Sequence, residues 1–389
     1  MRSPHTGRAL VMGDRDLVVP VSAAGAPVTV VSDHSGSSRF SRHVQGWVPD
    51  PRPDQDALVR ALVEWAGATS DPDVLFYQQD DDLLFVSRRR DELTDAFAFT
   101  IPSSELVEQL VDKAAFTTLA LRLALPIPPT VIAGHAERPW EGSSFDYPLL
   151  VKPLRRTRTW DAVSSSKAAI VESPDALELL LGRLAADHAH VVLQAPVPGP
   201  ESRIESYHVY VDAGGDIAAE FTGRKIRTYP QDLGHSTAVE TTEAPDVVGV
   251  GREVVQALDL RGVAKVDFKR DPDGRLWLLE VNPRFNLWHH VGAAAGVNIP
   301  AFVWADLTGE PRPPRRTARA GVTWCRLEQD VRAARQDGLG YAAWLRWAMR
   351  SETRSTLDPR DPLPLLTGRL LAPVGRRVRS TLTERRRHT

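Results

Sequence analysis

The stretch from Ala264 to Pro283, AKVDFKRDPDGRLWLLEVNP, does most to narrow what this chain can fold into. Two apolar-rich runs flank Asp271-Pro272-Asp273-Gly274, a run of strong turn formers, so a β-hairpin is expected. In a symmetric hairpin Arg270 faces Arg275 and Asp267 lies opposite Leu278. Strand alternation then puts Asp267, Glu280 and Asn282 on one face and Phe268, Trp277, Leu279 and Val281 on the other. Asp267 and Glu280 become diagonal neighbours, roughly 7–8 Å apart at the backbone. Two carboxylates on the buried side of an apolar hairpin repel each other and lose hydration unless they are neutralised. A hard divalent cation is the natural neutraliser, and Mg²⁺ characteristically keeps waters and bridges phosphates. The competing reading is a solvated acidic face on an edge hairpin, because a single bulge would carry Asp267 to the other side.

A chain of 389 residues is too long for one ordinary core, so two or three domains are expected. Hydrophobic residues make up 42% and charged residues 25%, the balance of a globular protein. Cys325 is the sole cysteine, which excludes a disulfide framework and a cysteine-based zinc site. The first residues lack an apolar signal region, and no run of about 18 apolar residues occurs, so a cytoplasmic location is expected. The overall charge of −2 hides an asymmetry. From Pro311 onward there are 18 arginines and 7 acidic residues, a net +11 that leaves −13 on the preceding residues. Such a basic tail either docks on the acidic body or touches an anionic surface of lipid or nucleic acid.

Residues 8 to 31 read as strand, short helix, strand, and Asp54–Ala68 as a helix capped by Asp54. Asp73–Tyr77 is the next strand, ending at Gln78-Gln79-Asp80-Asp81-Asp82. This alternation indicates an α/β fold with a parallel sheet, whose strand carboxyl ends hold ligands. The acidic cluster there either holds a substrate amine or lines a helix N-terminus. Ser103–Leu125 is expected to be one long amphipathic helix and Tyr147–Pro153 a strand, followed by a polar, Ser-rich stretch. Val191–Val197 is a further strand. Residues 204–242 form antiparallel strands in which Lys225 faces away from Arg224 and Arg227. Val247–Leu258 is an amphipathic helix behind the hairpin. His208 is weighed as a site residue against an ordinary buried strand histidine. His289 and His290 point about 100° apart on a helix, which rules out joint chelation and suggests helical surface with a substrate contact. Helices are expected around Asp330–Arg350.

Asp267 followed by Glu280-Val281-Asn282-Pro283-Arg284, with DKAAFTTLALRLALPIPPT and YPLLVKP ahead of it, resembles the ATP-grasp superfamily. The resemblance runs roughly from Ala9 to Leu366, toward the carboxylate–amine ligase-like branch that also contains D-aspartate ligase. It implies an N-terminal Rossmann-like pre-ATP-grasp domain (residues 1–102), a two-subdomain α+β ATP-grasp core (103–310) and an Arg-rich helical extension (311–389). It makes Asp267, Glu280 and Asn282 ligands of Mg²⁺, with Mn²⁺ as a substitute. Lys113, Lys152 and Lys167 become ATP phosphate contacts, the last at the edge of a flap that here has no glycine between Lys152 and Lys167. Backbone groups of Gln194, Ala195 and Val197 would read the adenine, and Glu201 the ribose. Arg284 and Lys225 would act on the transferring phosphoryl group. The implied activity is activation of a small-molecule carboxylate as an acyl phosphate and its transfer to an amine, amino acids first among the partners. A regulatory ATP-binding module without ligation, a phosphotransferase and a nucleic-acid binder are the other readings, and a homodimer is left open.

Overall fold

The computed structural model describes residues 7–33, 36–67, 72–133, 146–154, 157–164, 168–184, 190–231, 234–355, 358 and 360–367. Strands β1 (Ala9–Met12), β2 (Val28–Ser32), β3 (Gly46–Pro49), β4 (Asp73–Tyr77) and β5 (Phe97–Ala98) form a parallel sheet in the order β3-β2-β1-β4-β5. Strand order reverses between β1 and β4, which opens a crevice at their carboxyl ends. Helices α1 (Arg15–Ser22), α2 (Gln55–Ala66), α3 (Asp80–Arg88) and α4 (Arg90–Leu93) complete this unit. The expected cap of α2 is present: the Asp54 carboxylate accepts from the Ala57 N–H at 2.9 Å.

The long helix expected from Ser103 is two helices, α5 (Ser104–Val111) and α6 (Lys113–Arg122). Asp112 breaks it. Its backbone is extended, and its side chain accepts from the N–H groups of Ala114 and Ala115 at 2.9 Å, so it caps a new helix rather than continuing the old one. Beyond it, β6 (Thr130–Ala133), β7 (Leu149–Pro153), β8 (Ala169–Val171) and β9 (Val191–Gln194) form an antiparallel sheet in the order β6-β9-β7-β8. It is covered by α7 (Arg158–Val163) and α8 (Pro174–Leu184). The described part of the expected polar flap is therefore a helix, capped by Thr157 and anchored by the fully buried Trp160 in this subdomain's core. Lys167 and the serines before it at 165 and 166 lie outside the described residues.

The largest sheet joins β10 (Ile204–Val211), β11 (Ile217–Tyr229), β12 (His235–Thr242), β13 (Gly262–Arg270), β14 (Leu276–Asn282), β15 (Thr323–Cys325) and β16 (Thr353–Arg354) in the order β14-β13-β10-β11-β12-β15-β16. One face packs on α9 (Pro245–Ala257), α5 and α6 through Tyr207, Val209, Val266, Phe268 and Leu278. The other packs on α10 (Trp288–Ala294) and α11 (Ile299–Thr308), in a core that also takes in Val11, Val30 and Phe76 of the parallel sheet. The shared core fixes the N-terminal unit against the large sheet. Both helices are mostly buried, the polar side chains His289 and His290 included. They are bent by 92° relative to each other, and among the described residues no single helix is long and apolar enough to cross a membrane.

The hairpin forms, in a register other than the symmetric one. Arg270 pairs with Leu276 and Phe268 with Leu278; a bulge then sets Asp267 directly opposite Glu280 and Lys265 opposite Asn282. Two one-residue shifts cancel, so Asp267 and Glu280 still share a face, now as direct partners rather than diagonal ones. The apolar face is corrected accordingly. Leu276 and Leu278, not Trp277 and Leu279, join Phe268 and Val281 in the core. Trp277 lies under the Arg275 guanidinium and donates to Asp271 at 2.8 Å.

Beyond the large sheet's main body, α12 (Leu327–Gln336) and α13 (Tyr341–Arg350) seat on β11 and β12 through a buried ion pair. Arg227 donates to both oxygens of Asp330 at 2.8 and 2.7 Å, while Thr237 and Trp344 donate to the same carboxylate at 2.9 Å. Trp347 stacks on the guanidinium, 4.0 Å from its ring centroid. Docking of the tail on the body also runs through acids: Asp358 and Asp361 receive Arg15, and Asp361 receives Ser41. The arginines from 369 onward lie outside the described residues. Asp330→Ala would strand a buried guanidinium, and an expected loss of about 3–5 kcal/mol should appear as a lower denaturant midpoint.

Candidate functional site

The Asp267 carboxylate lies at the centre of the site. It is buried, accepts from the Ser206 hydroxyl, and pairs with Lys265 Nζ at 2.5 Å. Ser206 stands beside Asp267 because β10 and β13 pair at that position, and Lys265 follows two residues earlier on the same face. Burial alone would raise the Asp267 pKa; the ammonium groups of Lys265 and Lys225 and the two hydrogen bonds outweigh it and hold the carboxyl below its ordinary value. The carboxylate is therefore charged. Lys225 reaches it from β11, on the site-facing row with Phe221 and Gly223, and Arg227 turns away to Asp330 beyond a bulge at Ile226. Arg224 is exposed and paired with Glu240.

Glu280 sits opposite Asp267 at the exposed rim, and its carboxylate accepts from the Asn282 amide at 3.0 Å. Two carboxylates and an amide oxygen form a hard donor set suited to a magnesium ion that takes its remaining ligands from water or phosphate. Among the described residues no group of three or more His, Cys, Asp or Glu side chains is placed to hold a metal without such help.

The four-stranded sheet faces this cluster with Lys152. Its ammonium donates to Gln194 Oε1 at 2.8 Å, and Gln194 donates onward to Thr130 at 2.9 Å. Burial pulls the Lys152 pKa down to about 8; the nearby Glu280 charge raises it and the Lys113 charge lowers it. Lys113, at the first position of α6, Lys152 and Glu280 thus converge on one space between the two sheets. Two lysines close enough to repel each other make a ready acceptor for a polyanion.

Several expected site residues sit differently. Gln194 is buried, its backbone paired with both β6 and β7 and its side chain spent on Lys152 and Thr130. The Ala195 N–H donates to the Pro129 carbonyl at 2.9 Å, so it is not free to read a base edge. Pro196 and Pro198 carry no N–H, which leaves Val197 as the amide between them. Glu201 opens a short 3₁₀ turn just beyond, half-buried. Arg284 turns toward the N-terminal unit instead of the lysines: it pairs with Asp80 and donates to the Gln78 carbonyl at 2.9 Å. The acidic cluster is a helix N-terminus, with Asp80 held by Arg284 and Asp82 by Arg52 and the Gln79 N–H.

His289 and His290 are buried rather than on a helical surface. The His290 ring and the Trp324 N–H both bond Asp16 Oδ1 at 2.8 Å. Burial opposes the charge on Asp16, but the hydrogen bond and charge of His290 keep its pKa below the ordinary value. His208 is fully buried, stacked 4.5 Å from Phe221, with both ring nitrogens unpartnered among the described residues. Burial, with His289 and Lys265 nearby, drives its pKa far down, so it is neutral. Gln78 bridges to Asp14 by two hydrogen bonds at 2.6 and 2.9 Å. This is why residue 13 is glycine: a Cβ there would lie 2.4 Å from Gln78 Oε1. Lys265, Ser206 and the Asp14–Gln78 bridge were missed from sequence. Lys265 carried a signal, since K-x-D on one strand puts both side chains on one face.

Residues 214–329 match a family described as ATP-grasp in the biosynthetic pathway with Ter operon. The chain is 24% identical to a D-aspartate ligase of Enterococcus faecium over 57% of its own length and 55% of that protein. It is 30% identical to a D-alanine–D-alanine ligase of Halorhodospira halophila over 45% of its length and 58% of that protein. It therefore spans little more than half the length of these relatives. A biotin carboxylase of Campylobacter jejuni, solved as an ATP complex, superposes with a TM-score of 0.61 at 15% identity, covering 81% of this chain and 74% of that one. Residues 214–329 thus match an ATP-grasp family, and a longer span of the chain is similar to ligases of D-aspartate and D-alanine.

Proposed function

We propose that this protein is an ADP-forming ligase that joins a small carboxylic acid to an amine, with ATP in the cleft between the four- and seven-stranded sheets. The observation that carries the reading is the convergence of Lys113 and Lys152 on Glu280, opposite an Asp267 carboxylate kept charged. Asp267, Glu280 and Asn282 would hold magnesium, which would supply positive charge against the phosphates, while Lys265 holds Asp267 Oδ2 charged and in place. Lys113 and Lys152 bind the phosphates, and Lys225 offsets charge beside Asp267. Val197 supplies the amide for the base and Glu201 an acceptor for the ribose. The acid's carboxylate oxygen attacks the γ-phosphorus, the bond to the β-phosphate oxygen breaks, and ADP leaves. The amine nitrogen then attacks the acyl carbon, phosphate departs with the C–O electron pair, and the amine sheds a proton. Cleft walls that exclude water protect the acyl phosphate. Arg284, now on Asp80, would have to turn to act on the phosphoryl group; where it sits, it ties the nucleotide cleft to the crevice of the parallel sheet. The D-aspartate and D-alanine–D-alanine ligases among the relatives support amino acids as substrates, and a cytoplasmic location is part of the same proposal. An ATP-binding regulatory module and a phosphotransferase are separated from it by product analysis.

Glu280→Ala should abolish ADP release while leaving the far-ultraviolet circular dichroism spectrum unchanged. In the unaltered protein, ADP release should depend on an acid, and hydroxylamine should trap the acyl phosphate as a hydroxamate. ADP release by the variant at the unaltered rate would remove Glu280 from the chemistry. A phosphate brought against Lys152 favours its charged form, so at pH values just above 8 nucleotide binding should take up a proton. Affinity should accordingly fall as pH rises through about 8, and calorimetry in buffers of different ionisation enthalpy should show the uptake in the unaltered protein but not in Lys152→Met.

A further inference from the structure

Helix α13 has no acidic residue and two distinct faces. Trp344 and Ala348 are buried against the sheet, with Trp347 on the Arg227 guanidinium. Tyr341, Leu345 and Met349, one helical turn apart, are 63%, 41% and 57% exposed. Arg346 and Arg350 form an exposed row beside them. Of the ten large hydrophobic side chains exposed among the described residues, five lie between Tyr341 and Leu366, the others being Leu363 and Leu366. Three large apolar side chains in one row on a helix face mark a contact surface.

Charge chooses the occupant. The face carries Arg346 and Arg350 and no acid, so a second copy meeting it through the same face would bring arginine against arginine. The chain's own last segment, with seven arginines from Arg369 onward, is no better matched. A nucleic acid would use the arginines and leave the tyrosine, leucine and methionine without a role. An anionic bilayer uses both: apolar side chains enter the acyl boundary while arginines meet the headgroup phosphates. We propose that the outer face of α13 docks this protein on an anionic lipid surface, with Tyr341, Leu345 and Met349 inserted and Arg346 and Arg350 on the phosphates. The face carries none of the residues placed at the nucleotide cleft, so docking does not depend on the proposed ligation.

The test is co-sedimentation of the full chain with vesicles of phosphatidylcholine, with and without phosphatidylglycerol. Binding is expected to the mixed vesicles, weakened by salt. The exposed-site variants Leu345→Ser with Met349→Ser, and Arg346→Glu with Arg350→Glu, should each lower it by about tenfold or more while keeping the thermal midpoint. Equal binding to neutral vesicles, or undiminished binding by both double variants, would overturn the proposal. So would loss only on deleting residues 369–389, which would assign the contact to the tail. A dimer in light scattering that the serine variant dissolves would make the face a contact between copies and would also overturn it.

Discussion

One charged carboxylate organises the cleft. Asp267 is buried in a sheet whose opposite face is a dense apolar core, where an isolated negative charge would be strongly disfavoured. It remains ionised because Lys265, Lys225 and Ser206 come from three strands to meet it. Removing that carboxylate would leave two ammonium groups facing each other at the edge of the core. The pairing of β10 with β13 and β11 gathers these groups on one face of the large sheet.

Around that centre the structure holds two rigid anchors. The core shared by the parallel sheet, α10 and α11 fixes the N-terminal unit to the large sheet, and Arg284 adds a polar tie to Gln78 and Asp80. On the far edge, Arg227, Asp330, Trp344 and Trp347 clamp the C-terminal helices to β11 just beyond Lys225. The four-stranded sheet has its own small core and is joined to the rest through the segments around Pro126 and Pro196. Proline-stiffened joints between a separately cored subdomain and a fixed body suit a cleft that closes over its ligand.

Much of this was legible in the residues. The hairpin and the strand–helix alternation of the first hundred residues follow from turn chemistry and alternation, whereas Asp267 and Glu280 share a face only because two register shifts cancel. Lys152 could be placed at a strand end, but not its lowered pKa, which comes from burial and from Glu280 and Lys113 brought from two other segments. Asp112 illustrates the limit of periodicity: an amphipathic pattern continues through it, yet its side chain captures two amides and starts a new helix.

By itself the sequence determined the local elements and the chemistry they carry: an acidic β-hairpin, lysines at helix and strand ends, an arginine-rich tail. Those depend on neighbours within a few residues. Tertiary structure alone decided which charges meet. A shift at the turn and a bulge in β14 changed Asp267 and Glu280 from diagonal to direct partners, the sheet order put Ser206 beside Asp267, Arg284 pairs with Asp80, and His208, His289 and His290 are buried. The physical reason is that electrostatic pairing depends on distance and burial, and both are set by long-range packing rather than by spacing along the chain.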